Sequence, residues 1–373
     1  MKFIGIDLHT NRFTCCYRDD NSSGENPKGK ITETFTLDAK GLAYFYSTLT
    51  TETYVLVEAT ITTFSFVRLI KDRVKEVIIA NTYELKQVSL ARCNTDKIDA
   101  DKLCRILKAQ ILSGEQLVTP VVLAPEGIQV LRGLFTTYRL IQKQNTQLKN
   151  RIHSLLKEQL YGFTQEEIFG KKDREHIRAI APGTAMSFQV NLFLDRLERS
   201  EADVETLKTQ VLLQAAPYMA QIEILTSMKG ISVFIAIAII ADIIDVSRFR
   251  NSKMFTSYLR SAPRVSNSNT SKSTYGINKK GRKLSATLLT QSLNHVLDSS
   301  PKLRRWFDAL SKYKKAGLVR TGLRRRVLAE IFQMLKKKEY HYARDGKNHE
   351  AKMAQYRRFL ENQKKGNILE EVA

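Results

Sequence analysis

The chain opens on short apolar runs that have the character of strands. Residues 3–6 (Phe-Ile-Gly-Ile) predict a short buried strand, and β-formers clustered at 13–17 and 31–37 predict two more. The polar stretch 21–29, with Pro27 and two glycines, predicts a loop or hairpin tip. Residues 40–49 then read as a helix, 54–57 as a fourth strand, 62–71 as a helix and 74–80 as a fifth strand. Helical patterns follow at 83–91 and 96–112.

Pro120 and Pro125 mark a break. Beyond them, 129–159 has no proline and a single glycine, Gly133. Its apolar positions Leu134, Tyr138, Ile141, Leu148, Ile152 and Leu155 have the spacing of a long amphipathic or coiled-coil helix. A second helical pattern covers 188–213, and the pair predicts either oligomerisation or a helix hairpin within the chain. The most apolar stretch, 231–246, is short and interrupted by Asp242 and Asp245, so a buried helix is expected rather than a membrane span. A Ser/Thr/Asn-rich loop is expected at 266–274, followed by several basic helices. No repeat of solenoid period is present. The initial order β-β-β-α-β-α-β-α-α is that of an α/β ribonuclease-H-like (RuvC-like) domain, in which three antiparallel strands precede parallel crossovers. The expected division is 1–125 for that domain, 126–216 for a helical or coiled-coil region, and 217–373 for a mostly α-helical basic C-terminal domain.

Charge changes this picture. The formal net charge is +22. From Arg248 onwards there are 30 Lys+Arg against 9 Asp+Glu, which leaves 30 and 29 in the residues before it. The excess therefore lies almost wholly in the last third. Basic residues there alternate with Trp306, Phe307, Tyr313 and Phe332 at helical spacing, which predicts folded structure with a basic face. Such a face suits a nucleic acid, because condensed phosphate rewards clustered Lys/Arg through counterion release. The four cysteines (Cys15, Cys16, Cys93, Cys104) form no C-x-x-C pair, which argues against a zinc site or a disulfide framework. With a strand pattern at the start in place of a secretion signal, a cytoplasmic location is expected, on the bacterial nucleoid.

Four carboxylates are the candidate chemistry. Asp7 ends the first strand and Glu58 the fourth, and in a ribonuclease-H-like sheet those strands are neighbours, so both side chains emerge at one end. Asp96 and Asp99 are three apart at a helix start and share a face. Carboxylates so gathered repel and stay ionised only around a cation. Oxygen donors point to Mg²⁺ or Mn²⁺, and paired ions about 3.5–4 Å apart activate a nucleophile and stabilise the leaving oxygen of a phosphodiester. Asp101 points to a different helix face and is expected to be a bystander. Singly, each carboxylate also has an ordinary explanation as a turn residue, a cap, or a partner of Lys97 or Lys102.

Phe3-Ile4-Gly5-Ile6-Asp7-Leu8-His9, Val57-Glu58-Ala59 and Thr95-Asp96-Lys97-Ile98-Asp99-Ala100 together resemble the DEDD transposases of bacterial insertion sequences, the "one-ten" group that includes the Piv site-specific invertases. Lys229-Gly230-Ile231, Arg248-Phe249, Pro263, Gly276-Ile277-x-Lys279-x-Gly281 and the Phe332 to Tyr340 ending extend the likeness over most of the chain. The resemblance implies a catalytic, metal-binding set of Asp7, Glu58, Asp96 and Asp99, and a nucleophilic serine five residues after a proline and nine before an isoleucine. Both spacings fall on Ser268, with Ser266 as the second choice. Asn269 stands where glycine usually follows the serine, Leu259-Arg260-Ser261-Ala262-Pro263 replaces Leu-Gly-Leu-x-Pro, and Gly-Ile-Ser232 replaces Gly-Ile-Gly. A serine hydroxyl needs a base or a metal to become a nucleophile. Arg264, Lys272, Lys279, Lys280, Arg282 and Lys283 are the expected nucleic-acid contacts, through phosphate oxygens. The resemblance further implies element-end and target DNA, a structured guide RNA encoded by the element, and a homo-oligomer up to a tetramer. A junction resolvase or nuclease that uses water, and a non-catalytic nucleic-acid-binding protein, are the alternative functions.

Overall fold

The computed structural model describes residues 1–20, 30–81, 95–162, 169–268, 271–278 and 281–372. At 171, 264–268, 271–275 and 366–372 the description is of the backbone alone. The chain is mixed α/β, mostly helical, with one five-stranded sheet. It divides into two compact units, Met1–Leu123 and Ala124–Ala373.

The first unit holds β1 (Lys2–Leu8), β2 (Arg12–Asp19), β3 (Ile31–Thr36), α1 (Ala39–Ser47), β4 (Thr53–Glu58), α2 (Thr63–Ile70), β5 (Glu76–Ala80) and α3 (Asp96–Ser113). The sheet order is β3-β2-β1-β4-β5. β1 pairs antiparallel with β2 and parallel with β4. This is the expected element order, with the helix expected at 83–91 and the loop at 21–29 lying outside the described residues. Strand alternation sorts the two faces. Ile4, Ile6, Val55, Val57, Phe13 and Phe35 pack with Phe45 of α1 and Phe66 of α2. Phe3, Cys16, Tyr54, Leu56 and Ile78 pack with Ala100, Leu103, Cys104 and Leu107 of α3.

One strand position brings α3 unusually close. A Cβ added at Gly5 would lie 2.2 Å from the Ala100 carbonyl oxygen and from the Cys104 nitrogen. The helix backbone therefore rests directly on the strand backbone. Cys104 Sγ donates to the Phe3 carbonyl at 3.3 Å. A buried ion pair fixes the same helix laterally, with Arg18 of β2 donating to Asp101 Oδ1 at 2.7 Å. Burial opposes ionisation of Asp101, but bonds from Arg18, Lys30 and Cys16 outweigh it and hold the carboxyl below its ordinary value. Asp101 is thus an anchor of the helix, apart from the other acids, as its helix face predicted. Thr95 Oγ1 caps the helix by accepting from the Ile98 N–H at 3.3 Å, and Gly114 at φ 71° ends it in the left-handed region.

The second unit is helical apart from one hairpin. It contains α4 (Glu126–Glu158), α5 (Lys171–Arg178), α6 (Ala185–Gln214), α7 (Met219–Thr226), α8 (Val233–Ile243) and α9 (Ser252–Tyr258). Next come β6 (Pro263–Ser268), β7 (Ser271–Ile277), α10 (Leu284–Asp298), α11 (Pro301–Ser311), α12 (Ala316–Lys337) and α13 (Gly346–Val372). The long helices α4 and α6 pack on each other within the chain. Ile152, Leu155 and Leu156 share a core with Ile177, Val190, Leu194 and Leu197, and Lys149 pairs with Glu201 at 3.4 Å. The apolar helix α8 is buried from Ala236 to Ile243, as expected. The loop expected at 266–274 is instead an antiparallel hairpin, in which Ser268 pairs with Ser271. Val265, Thr274 and Tyr275 supply the β preference that a composition-based loop reading overlooked. Among the described residues no helix is long and apolar enough to cross a membrane.

Gly5→Ala is expected to push α3 off the sheet and to cost about 1–3 kcal/mol of folding stability. Urea unfolding of the variant against the parent chain checks this; an unchanged midpoint would show that the close approach is not required.

Candidate active site

Asp7 and Glu58 leave the sheet side by side. In the β1–β4 register Ile6 pairs with Val57, so the next residues on the two strands are Asp7 and Glu58. By alternation both lie on the α3 face. Asp7 is two residues beyond Gly5, and Asp96 and Asp99 lie in the first turn of α3, just before Ala100. The contact at Gly5 therefore carries the helix acids towards the strand acids.

Burial pushes the Asp7 carboxyl above the ordinary value. His9 opposes the rise, while Asp96, Asp99 and Glu58 add to it. All four acids thus act in one electrostatic neighbourhood. Two of them also hold cations. Asp99 Oδ1 accepts from Lys102 Nζ at 2.8 Å, and Asp96 Oδ2 accepts from Arg12 Nη2 at 3.0 Å. Sequence reasoning missed His9 and Arg12. His9 Nε2 lies 3.3 Å from Asp7 Oδ2 and 3.3 Å from Asp96 Oδ1. Asp7, His9 and Asp96 offer donor atoms all within 4.8 Å of one another. The available signal was the Asp7-Leu8-His9 spacing, since residues two apart on a strand share a face.

The serine candidates lie in the second unit, on the hairpin. Ser268 is the last residue of β6 and Ser266 pairs with Ser273. Arg264 and Lys272 are on the same two strands, while Lys279 and Lys280 lie outside the described residues. Arg282 and Lys283 are exposed just beyond it. The hairpin root is tightly tied. The Asn278 N–H donates to the Ala262 carbonyl at 3.0 Å, and the Arg282 N–H to the Tyr258 carbonyl at 2.8 Å. Arg260 Nε donates to the Gly281 carbonyl at 2.7 Å. Gly281 has φ +101°, and a Cβ there would meet the Tyr258 carbonyl oxygen at 2.2 Å. From α12, Arg324 donates to the Arg260 carbonyl at 3.0 Å and to Ser261 Oγ at 2.9 Å.

Residues 222–307 match the family described as Transposase IS116/IS110/IS902 family. This segment is therefore similar to the transposase domain of that family. The match runs from α7 into α11 and so takes in α8, the serine hairpin and the start of the basic helices. The match supports a transposase or recombinase role, for which DNA is the implied partner. No curated protein matches the chain.

Two features set the frame of the second unit. Asp242, buried near the end of α8, accepts from the Ser285 N–H at 2.9 Å and from Ser285 Oγ at 2.7 Å, which caps α10. Arg132 and Arg248 donate to the last carbonyls of α8, those of Ala241, Asp242 and Ile243. Burial, with Arg282 nearby, pushes the Arg132 guanidinium down to about 10.

The raised carboxyl of Asp7 gives a pH dependence with a definite sign. The folded state binds this proton more tightly than the unfolded chain. Its stability contribution is therefore full below the unfolded value of 3.8 and is lost as pH rises through the raised folded value. In chelator-treated buffer at pH 7, Asp7→Asn is expected to melt above the parent chain, and the gap should close below about pH 4. A variant that melts lower at pH 7 would contradict this account of Asp7.

Proposed function

We propose that the protein is the transposase or site-specific recombinase of an insertion sequence, exchanging DNA strands through a phosphoserine intermediate with divalent-metal assistance. The transposase-domain match over residues 222–307 carries the reading. The strand order β3-β2-β1-β4-β5, antiparallel first and parallel after, supports a ribonuclease-H-like (RuvC-like) first unit. In that fold the ends of β1 and β4 are a natural place for metal-binding acids.

The donor set fits a cation. Four carboxylates share one electrostatic neighbourhood, Asp7 carries a pKa raised by burial and by its three acidic neighbours, and Asp7 and Asp96, with His9, offer donor atoms within 4.8 Å of one another. Asp7, Glu58, Asp96 and Asp99 would hold Mg²⁺ or Mn²⁺. Such an ion supplies Lewis-acid neutralisation of a phosphate and a lower pKa for a nearby hydroxyl. The rest falls to side chains of this chain. The Ser268 hydroxyl, with Ser266 as the second candidate, gives up its proton and forms an ester bond to a DNA phosphorus. The bond from that phosphorus to a deoxyribose oxygen breaks, and the leaving oxygen takes up a proton. The phosphoserine link conserves the bond for rejoining, so exchange needs no external energy. Arg264, Lys272, Lys279, Lys280, Arg282 and Lys283 hold phosphate oxygens in register.

The proposed working state is a homo-oligomer on DNA in the bacterial cytoplasm, with an element-encoded guide RNA as second nucleic acid. The basic excess after Arg248 supports a polyanionic partner of either kind.

The test is trapping of covalent protein–DNA adducts from element-end DNA, the co-expressed RNA and Mg²⁺. Ser268→Ala is expected to abolish the adduct and Asp99→Asn to lower recombination by at least about a hundredfold. An adduct that survives Ser268→Ala moves the nucleophile elsewhere. Cleavage with no adduct in the parent chain favours a nuclease using water. Binding should weaken by at least about tenfold between roughly 50 and 200 mM salt, and a flat response would contradict the electrostatic contact.

A further inference from the structure

We propose that His9 is a nitrogen ligand of the ion held at Asp7 and Asp96, and that it turns the site towards Mn²⁺ over Mg²⁺. The inference rests on the metal reading above and concerns which ion the site selects.

The first argument is which oxygens remain open. Asp96 Oδ2 is engaged by Arg12 and Asp99 Oδ1 by Lys102. The other oxygen of Asp96, Oδ1, faces His9 Nε2 at 3.3 Å, and Asp7 Oδ2 faces the same nitrogen at the same distance. The imidazole nitrogen thus stands between two carboxylate oxygens that carry neither Arg12 nor Lys102. The second argument is spacing. Metal–donor bonds of about 2.1 Å enclose an angle of about 100° when their donors are 3.3 Å apart, as for neighbouring ligands in an octahedron or tetrahedron. The His9 nitrogen is thus spaced from each carboxylate oxygen as two ligands of one ion are, and all three residues offer donor atoms within 4.8 Å of one another.

The third argument is that the imidazole is held locally. His9 follows β1 directly, and its backbone N–H donates to the Arg12 carbonyl at 3.0 Å. That bond closes the tight β1–β2 connection, so the ring projects from a fixed turn. The ring is 48% exposed, which leaves coordination positions for water or a phosphate oxygen.

Selection follows from donor chemistry. Mg²⁺ strongly prefers oxygen and releases water reluctantly, whereas imidazole suits the later first-row ions. A nitrogen in the set therefore costs Mg²⁺ affinity relative to Mn²⁺. Sequence reading treated the site as all-oxygen and left the two ions equivalent.

The test uses the full chain stripped of metal by chelation. Mn²⁺ binding is followed by the electron paramagnetic resonance of the free ion, and Mg²⁺ by competition. Spin-echo modulation of bound Mn²⁺ then reports any directly coordinated ¹⁴N. The parent chain is expected to show nitrogen coupling that both His9→Ala and His9→Gln lose. Mn²⁺ affinity should fall by about tenfold or more in His9→Ala, and Mg²⁺ affinity by less than about threefold. His9→Gln, which keeps a side chain of similar length with an oxygen donor, guards against a purely structural effect and should bind Mg²⁺ at least as well as the parent. Mn²⁺ bound without nitrogen coupling, or equal losses for both ions, would overturn the role of His9 while leaving the carboxylate site standing. If the parent binds no Mn²⁺ that Asp7→Asn and Asp96→Asn remove, the metal reading itself fails, and this inference with it.

Discussion

The backbone-to-backbone contact between Gly5 and α3 is the constraint on which the acidic cluster depends. A helix normally packs on a sheet through two layers of side chains. At Gly5 the strand contributes no side chain, so the Ala100 carbonyl and the Cys104 amide reach the strand itself. The shortened separation brings the first turn of α3 down to the level of Asp7 and Glu58. Three further ties hold the helix in that position: the Arg18–Asp101 pair, the Cys104 thiol on the Phe3 carbonyl, and Lys108 on the carbonyls of Asp19 and Asp20. The repulsion among the acids acts against this packing, and a rigid frame is what lets them stay together.

The second unit handles charge differently. Several of its partly buried arginines spend their donors on backbone carbonyls and hydroxyls. Arg132 and Arg248 serve the C-terminal end of α8, where a positive group complements the helix dipole. Arg324 reaches a carbonyl at the hairpin root, Ser261 Oγ and Thr290 Oγ1. Asp242 is used in the mirror sense, at the N-terminal end of α10. These charges are internal fittings. The positive excess available to a partner is carried instead by exposed groups such as Arg282, Lys283, Arg325 and Arg326.

Much of this was legible in the sequence. Strand positions followed from short apolar runs, and the parity of Asp7 with Gly5 and of Glu58 with Leu56 followed from alternation. The helical acids were legible because spacing on a helix is fixed. What escaped depends on how distant segments meet. His9 and Arg12 sit on either side of a tight turn, and their roles appear only once α3 is placed above them. The periodicity of 129–159 could not say whether its partner lay in the same chain, and Val190, Leu194 and Leu197 supply the answer. The hairpin was hidden by its Ser, Thr and Asn content, which resembles a loop in composition while its backbone pairs residue for residue.

That hairpin has the build of a cantilever. Its root is bolted by four interactions around Tyr258, Arg260, Ala262 and Gly281. Ser268, the last residue of β6, lies five residues beyond Pro263, an arm of about 17 Å at the usual rise per residue. A tilt of about 5° at the root displaces the end of β6 by about 1.5 Å. The stiffness of the Arg324 side of the root therefore sets how far the end of β6 can swing.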